Sequence, residues 1–158
     1  MHAILQEAWN GATASAPRHW ECLSSTQEAL QVVEFVADAM ADQGYPKKDV
    51  FGMRLALEEA VINAIKHGNQ GDPSKLVEVR YEVNAERALA EVQDQGEGFD
   101  PQQVPDPRTP ENLEWAGGRG LLLMRSYLTW VRYNERGNGV TLCQYRSVPE
   151  GRAGNGRA

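Results

Sequence analysis

Leu57-Glu58-Glu59-Ala60-Val61-Ile62-Asn63-Ala64-Ile65-Lys66-His67-Gly68 is the stretch on which the reading of this chain turns. It completes a helical pattern predicted from about Lys48 to His67, closed by Gly68 and the Gln70-Gly71-Asp72-Pro73 turn. At about 100° per residue, Val50, Met53, Leu57, Ala60, Val61, Ala64 and Ile65 fill one arc, which an amphipathic helix turns to a core. Glu59 and Asn63 stand one turn apart on the other side, with Gly52 and Ala56 beside them leaving room and His67 at the edge. Taken alone, the pair describes a solvated helix face as well as it describes a small polar patch. The rest of the chain decides between the two.

Upstream, His19 to Leu23 reads as a short strand, and Ser24 or Ser25 caps a helix over Gln27 to Gln43 with Leu30, Val33, Phe35, Val36 and Met40 on its apolar side. Gly44 stops that helix and Pro46 restarts the chain. Downstream, Leu76 to Val83 alternates, with Val77, Val79, Tyr81 and Val83 on one face and Glu78, Arg80 and Glu82 on the other. Ala88 to Gln93 is a second strand, and the short Asn84-Ala85-Glu86-Arg87 connection makes the two an antiparallel hairpin. Phe99 to Gly117 carries Pro101, Pro105, Pro107 and Pro110 with no period, as suits a mobile lid. A short apolar helix follows from Gly118 to Tyr127, then strands over Thr129 to Tyr133 and Val140 to Arg146 around the Gly137-Asn138-Gly139 turn. The pattern predicts one domain over residues 19–146, between a partly disordered segment 1–18 and a disordered tail 147–158.

Directly after the second strand comes Asp94-Gln95-Gly96-Glu97-Gly98. A carboxylate at a strand end, next to Gly96 and Gly98, fits either a plain Asp/Gly turn or a pocket in which a flat ligand approaches the backbone. In the second case Asp94 accepts from an exocyclic amine and selects adenine over guanine, whose corresponding position is a carbonyl. Gly117-Gly118-Arg119-Gly120 opens the short helix, so its free N–H groups and positive dipole end can meet phosphate. Arg119 is either a surface arginine or a partner for a terminal phosphate. The third glycine of a dinucleotide fingerprint is missing, and the chain contains no phosphate-binding P-loop motif. Three such elements in this order, separated by a hairpin and a lid, point to a nucleotide site.

Composition narrows the alternatives. A net charge of −6 argues against direct binding to nucleic acid or an anionic membrane surface. Neither a leader-like start nor a membrane-length apolar run is present, so the expected location is the cytoplasm. Cys22 and Cys143 are far apart, without metal-ligand spacing, and read as reduced buried thiols.

The Leu57 to Gly68 stretch resembles the N box of GHKL proteins, the class shared by gyrase, heat-shock-ninety chaperones, histidine kinases and MutL. Asp94 to Gly98 resembles their first glycine box, and Gly118-Arg119-Gly120-Leu121 the second. More narrowly, the span from about His19 to Arg146 is similar to the anti-sigma-factor serine kinases of bacterial partner-switching systems. That resemblance implies an α/β sandwich: a mostly antiparallel mixed sheet covered on one face by about three helices, with ATP between helices and lid. It implies Asn63 as the Mg²⁺ ligand, Glu59 as the general base, and Asp94 as the reader of adenine in a pocket shaped by Gly96 and Gly98. Gly118, Arg119 and Gly120 would contact phosphate, with His67 at the edge of the site. It also implies a homodimer and two protein partners, a sigma factor and an antagonist that carries the acceptor serine. Two other readings remain: a nucleotide-gated binding module with negligible turnover, and the ATP-binding domain of a split histidine kinase. His2, His19 and His67 lie on no two-helix hairpin ahead of the domain, which opposes the last, and 158 residues leave no room for the transducer domain of a gyrase-type ATPase.

Overall fold

The computed structural model of the chain describes residues 18–23, 25–100, 102 and 116–148. Strand β1 (Arg18–Leu23) leads into helices α1 (Thr26–Asp42) and α2 (Lys47–Asn63), and α2 runs into a single π-helical turn (Ala64–Gly68). The hairpin β2 (Val77–Val83) and β3 (Arg87–Gln93) follows, then α3 (Ala116–Tyr127), β4 (Trp130–Tyr133) and β5 (Gly139–Tyr145). The strands form one sheet in the order β1-β2-β3-β5-β4. Every ladder among the described strands is antiparallel, the far end of the mostly antiparallel sheet that the resemblance implies.

Local chemistry sets the element ends. The Ser25 hydroxyl accepts from the Glu28 N–H at 3.3 Å and caps α1, a bond worth about 1 kcal/mol. Gly44, at φ +78°, ends it. Pro46 precedes α2 and offers no side-chain cap, and Asp49 lies in its first turn. The β2–β3 connection is closed by Asn84, whose Oδ1 accepts from the Glu86 and Arg87 N–H groups at 2.9 Å each.

The alternating face of β2, with Val77, Val79, Tyr81 and Val83 buried, packs under α1 and α2 together with Ala88, Ala90, Val92, Val140 and Leu142. Of the arc expected on α2, Met53, Leu57, Ala60, Val61 and Ala64 are buried, while Val50 and Ile65 pack at the margin. Two expectations fail here. Gly52 and Ala56 are buried; a Cβ on Gly52 would sit 3.1 Å from the Tyr127 Cβ and 3.3 Å from its carbonyl oxygen, so Gly52 seats the end of α3, while Ala56 belongs to the core, and neither widens a polar patch. On the opposite sheet face Glu82 is buried rather than solvated, alongside a small apolar cluster of Leu89 and Cys143 with Trp130 packed against it. The Cys143 thiol is pushed up to about 12 by burial, which keeps it a thiol, as expected; the Cys22 side chain lies outside the described residues.

Most of the lid expected over Phe99 to Gly117, with 101 and 103–115, and the termini 1–17 and 149–158, also lie outside the described residues. Among the described residues no helix is long and apolar enough to cross a membrane.

Candidate functional site

The last α-helical turn of α2 brings Asn63 over Glu59, and the Asn63 amide donates to Glu59 Oε1 at 3.4 Å. The helix then widens. The Asn69 N–H reaches back five residues to the Ala64 carbonyl at 2.8 Å, and the Gly71 N–H caps Ile65 at 2.9 Å with Gln70 and Gly71 at positive φ. The π turn carries Gly68 against the end of β3. A Cβ at Gly68 would meet the Asp94 carboxyl group, and one at Gly96 would run into the Gly68 carbonyl, so the two backbones touch only because both residues lack side chains. Asn69, 2% exposed, locks this contact: its Oδ1 accepts from the Gln95 N–H at 2.8 Å and its amide donates to the Leu76 carbonyl at 3.0 Å.

Asp94 itself accepts from the Gly96 N–H through Oδ1 at 2.7 Å. Burial raises its carboxyl pKa above the ordinary value, against the Gly96 hydrogen bond and the nearby charges of Arg136 and Lys75. Gly98, at φ +83°, lies against the Arg136 carbonyl, and Gly137, at φ +76°, against the Phe99 backbone, so the β4–β5 turn is set into the glycine-rich loop.

Between these pieces lies a cavity of about 580 Å³. Asn63, His67, Asp94 and Gly98 line it, with Ala60, Ala64, Val92 and Val140 as apolar wall and Asn138 on the turn side. Phe99 and Tyr133 meet edge to face across one side, 5.1 Å between ring centres. Burial pushes the Tyr133 phenol up to about 12, so it stays a neutral hydroxyl.

Of the residues singled out in the sequence, Asn63, His67, Asp94 and Gly98 therefore share one cavity, and Gly96 stands behind it. Glu59 is not among the described lining residues; it adjoins the cavity through Asn63. The helix expected from Gly118 to Tyr127 is present and begins two residues earlier, at Ala116, so Gly117 also lies within it. Gly120 is buried where α3 crosses α2, and a Cβ there would strike the Glu59 carboxylate. Close helix crossing, not loop freedom, explains that glycine. Gly118 stays within the first turn, where N–H groups have no intrahelical acceptor; the Arg119 side chain is outside the described residues. The π turn, Asn69 and the asparagines of the β4–β5 turn escaped the sequence reading. Asn134 and Asn138, four apart around Gly137, are the one local signal of this arrangement, and only Asn138 belongs to the turn expected over Gly137-Asn138-Gly139.

The pattern of the histidine kinase-like ATPase domain matches residues 23–144, well over half of the chain. The chain is 29% identical over 136 residues to the serine-protein kinase RsbW of Bacillus licheniformis, covering 82% of this chain and 84% of that protein. It is 29% identical over 126 residues to the serine-protein kinase RsbW of Bacillus subtilis, covering 75% and 79%. Among solved structures, the RsbU and RsbW domains of Rv1364c from Mycobacterium tuberculosis superpose with a TM-score of 0.55 over 82% of this chain and 32% of that one; at 19% identity the likeness is one of fold. With the sheet, its helical cover and the match over residues 23–144 agreeing, the chain belongs to the histidine kinase-like ATPase family.

Proposed function

We propose that this protein is an ATP-dependent serine-protein kinase and anti-sigma factor, which binds Mg-ATP and phosphorylates a serine of a small antagonist protein to regulate transcription. The observation that carries this reading is the placement of Glu59. A carboxylate able to take a proton is hydrogen-bonded to Asn63, and Asn63 lines the Asp94 cavity, so a base and a ligand pocket are joined through one amide. The names of the similar Bacillus proteins point the same way.

The residues present suit an adenine nucleotide. The cavity falls within the roughly 300–1,000 Å³ range of small-ligand sites. Its apolar wall suits the faces of a base, and the carboxylate at its end suits an amino donor. Asn63 would hold Mg²⁺ through its side-chain oxygen, the ion taking its other ligands from phosphate and water. Bound ATP supplies the phosphoryl group. Glu59 takes the proton of the attacking serine hydroxyl, and the Asn63 amide orients its carboxylate. Gly118 and Arg119 belong to the helix start that would face phosphate charge, Gly120 seats that helix against Glu59, and His67 borders the site. The acting species is a cytoplasmic homodimer with a sigma factor and the antagonist as partners.

The test is capture of partners from a native lysate with Mg-ATP and with Mg-ADP, with phosphoserine read by mass spectrometry. A small protein phosphorylated only with ATP, and not by Glu59→Gln, is the expected result. Nucleotide-dependent capture without phosphate on any partner would replace the kinase by a gated binding module.

A further inference from the structure

Asn134, the first residue after β4, is half-buried and does not line the cavity, and its amide is fully used. Oδ1 accepts from the Gly137 N–H at 2.7 Å and the Asn138 N–H at 3.1 Å. Nδ2 donates to Asn138 Oδ1 at 2.9 Å and to Gln93 Oε1 at 3.2 Å. Turning the amide over would set its N–H groups against two backbone N–H groups, so the network holds in one orientation only.

Both partners of Asn134 end on Asp94. Asn138 Nδ2 donates to the Asp94 carbonyl at 3.2 Å and Gln93 Nε2 donates to the same oxygen at 3.1 Å. The Asp94 N–H returns a bond to the Asn138 carbonyl at 2.9 Å, and Gln93 Nε2 also reaches that carbonyl at 3.0 Å. With Oδ1 held by the Gly96 N–H, the backbone N–H, the carbonyl and one carboxylate oxygen of Asp94 are all fixed. Oδ2 has no protein donor among the described residues.

We infer that Asn134 is a positioning residue for base selectivity: it holds the Asp94 backbone, from which the carboxylate, itself tied to the Gly96 N–H, is presented in the one orientation in which it accepts from adenine and repels a 6-carbonyl purine. The inference rests on the reading of Asp94 as the base reader. A carboxylate discriminates between a donor and an acceptor only if it cannot turn away from the acceptor, because discrimination of this kind comes from leaving buried polar groups badly paired. Asn134 does not line the cavity, so its effect on selectivity must pass through Asn138, Gln93 and Asp94.

The experiment is calorimetric titration of the wild type, Asn134→Asp, Asn134→Ala, Asp94→Asn and the Asn134→Asp/Asp94→Asn pair with Mg-ATP and with Mg-ITP, alongside thermal melts. Asn134→Asp keeps the oxygen that closes the turn and deletes both donors, which makes it the primary variant; Asn134→Ala removes the turn contacts as well. The expected result is a preference for ATP that falls about fivefold in Asn134→Asp, the scale of one lost hydrogen bond, with ITP affinity nearly unchanged. In the Asp94→Asn background the same substitution should leave the ratio where it was. An equal loss of both nucleotides, or an unaltered ratio in a variant with a native melt, overturns the role of Asn134. A wild type that does not prefer ATP to ITP overturns the reading of Asp94 instead.

Discussion

Asp94 serves ligand and fold in opposite directions. Burial raises its pKa above the ordinary carboxyl value of 3.8, so the folded protein binds this proton more readily than the unfolded chain does. Its favourable contribution is present below pH 3.8 and is lost as pH rises through the folded value, leaving a cost at neutral pH. Asp94→Asn, which keeps an oxygen for the Gly96 N–H, should therefore raise the ligand-free melting temperature at pH 7, and the gain should vanish below pH 3.8. Melts across pH check this; a gain that persists at acid pH would assign the effect to something other than ionisation. The same variant should lose its preference for adenine, a trade of function against stability. At Glu59 the expectation is different. Glu59→Gln keeps the oxygen that accepts from Asn63 and removes the proton acceptor, so nucleotide affinity should hold while phosphoserine formation falls by about 10²–10⁴.

The crossing of α3 over α2 can be probed at Gly120. Glycine to alanine within a helix ordinarily gains about 1 kcal/mol of helix propensity, but here the new methyl group would meet the Glu59 carboxylate. Gly120→Ala must push aside the end of the flexible Glu59 side chain, so stability should stay within about 1 kcal/mol of the wild type while the displaced carboxylate reduces phosphoryl transfer. In a Glu59→Ala background the whole helix-propensity gain should appear; denaturant melts of the four proteins decide it, and an equal change in both backgrounds would show that the two residues do not meet there. This element also shows where sequence stops being informative. The 3.6-residue period of α2 and the alternation of β2 were readable because burial repeats within a window, and the carboxylate after β3 was readable because a strand precedes it. The purpose of Gly52, Gly96 and Gly120 was not, since each is explained by an atom of another element: Tyr127, the Gly68 carbonyl and the Glu59 carboxylate. The π turn is likewise set by what Gly68 must touch and leaves no period of its own. The Asn134–Asn138–Asp94 links join residues about forty positions apart, beyond any local pattern.

Across the whole molecule, the antiparallel order puts the end of β3 beside the start of β5, so the end of α2, the glycine-rich loop and the β4–β5 turn meet at one end of the sheet. The opposite end holds a second set of long-range ties. Asp49, in the first turn of α2, accepts from the Ser147 N–H and hydroxyl at 2.7 Å each, and the Tyr45 hydroxyl donates to the Asn84 carbonyl at 2.9 Å. Helix α2 is thus fastened at both ends, and its 17 residues span roughly 25 Å between them. Asp49 is buried, so Asp49→Ala leaves the Ser147 groups without their acceptor and should cost about 1–3 kcal/mol of stability. It should not alter the cavity, because sites separated by more than about 7–10 Å without shared partners act independently. The expected outcome is a lower melting temperature with nucleotide affinity unchanged, and additivity with Asp94→Asn within about 0.5 kcal/mol. Weaker nucleotide binding at an unchanged melting temperature would mean that α2 transmits displacement along its length, and that the clasp at its start belongs to the working of the site.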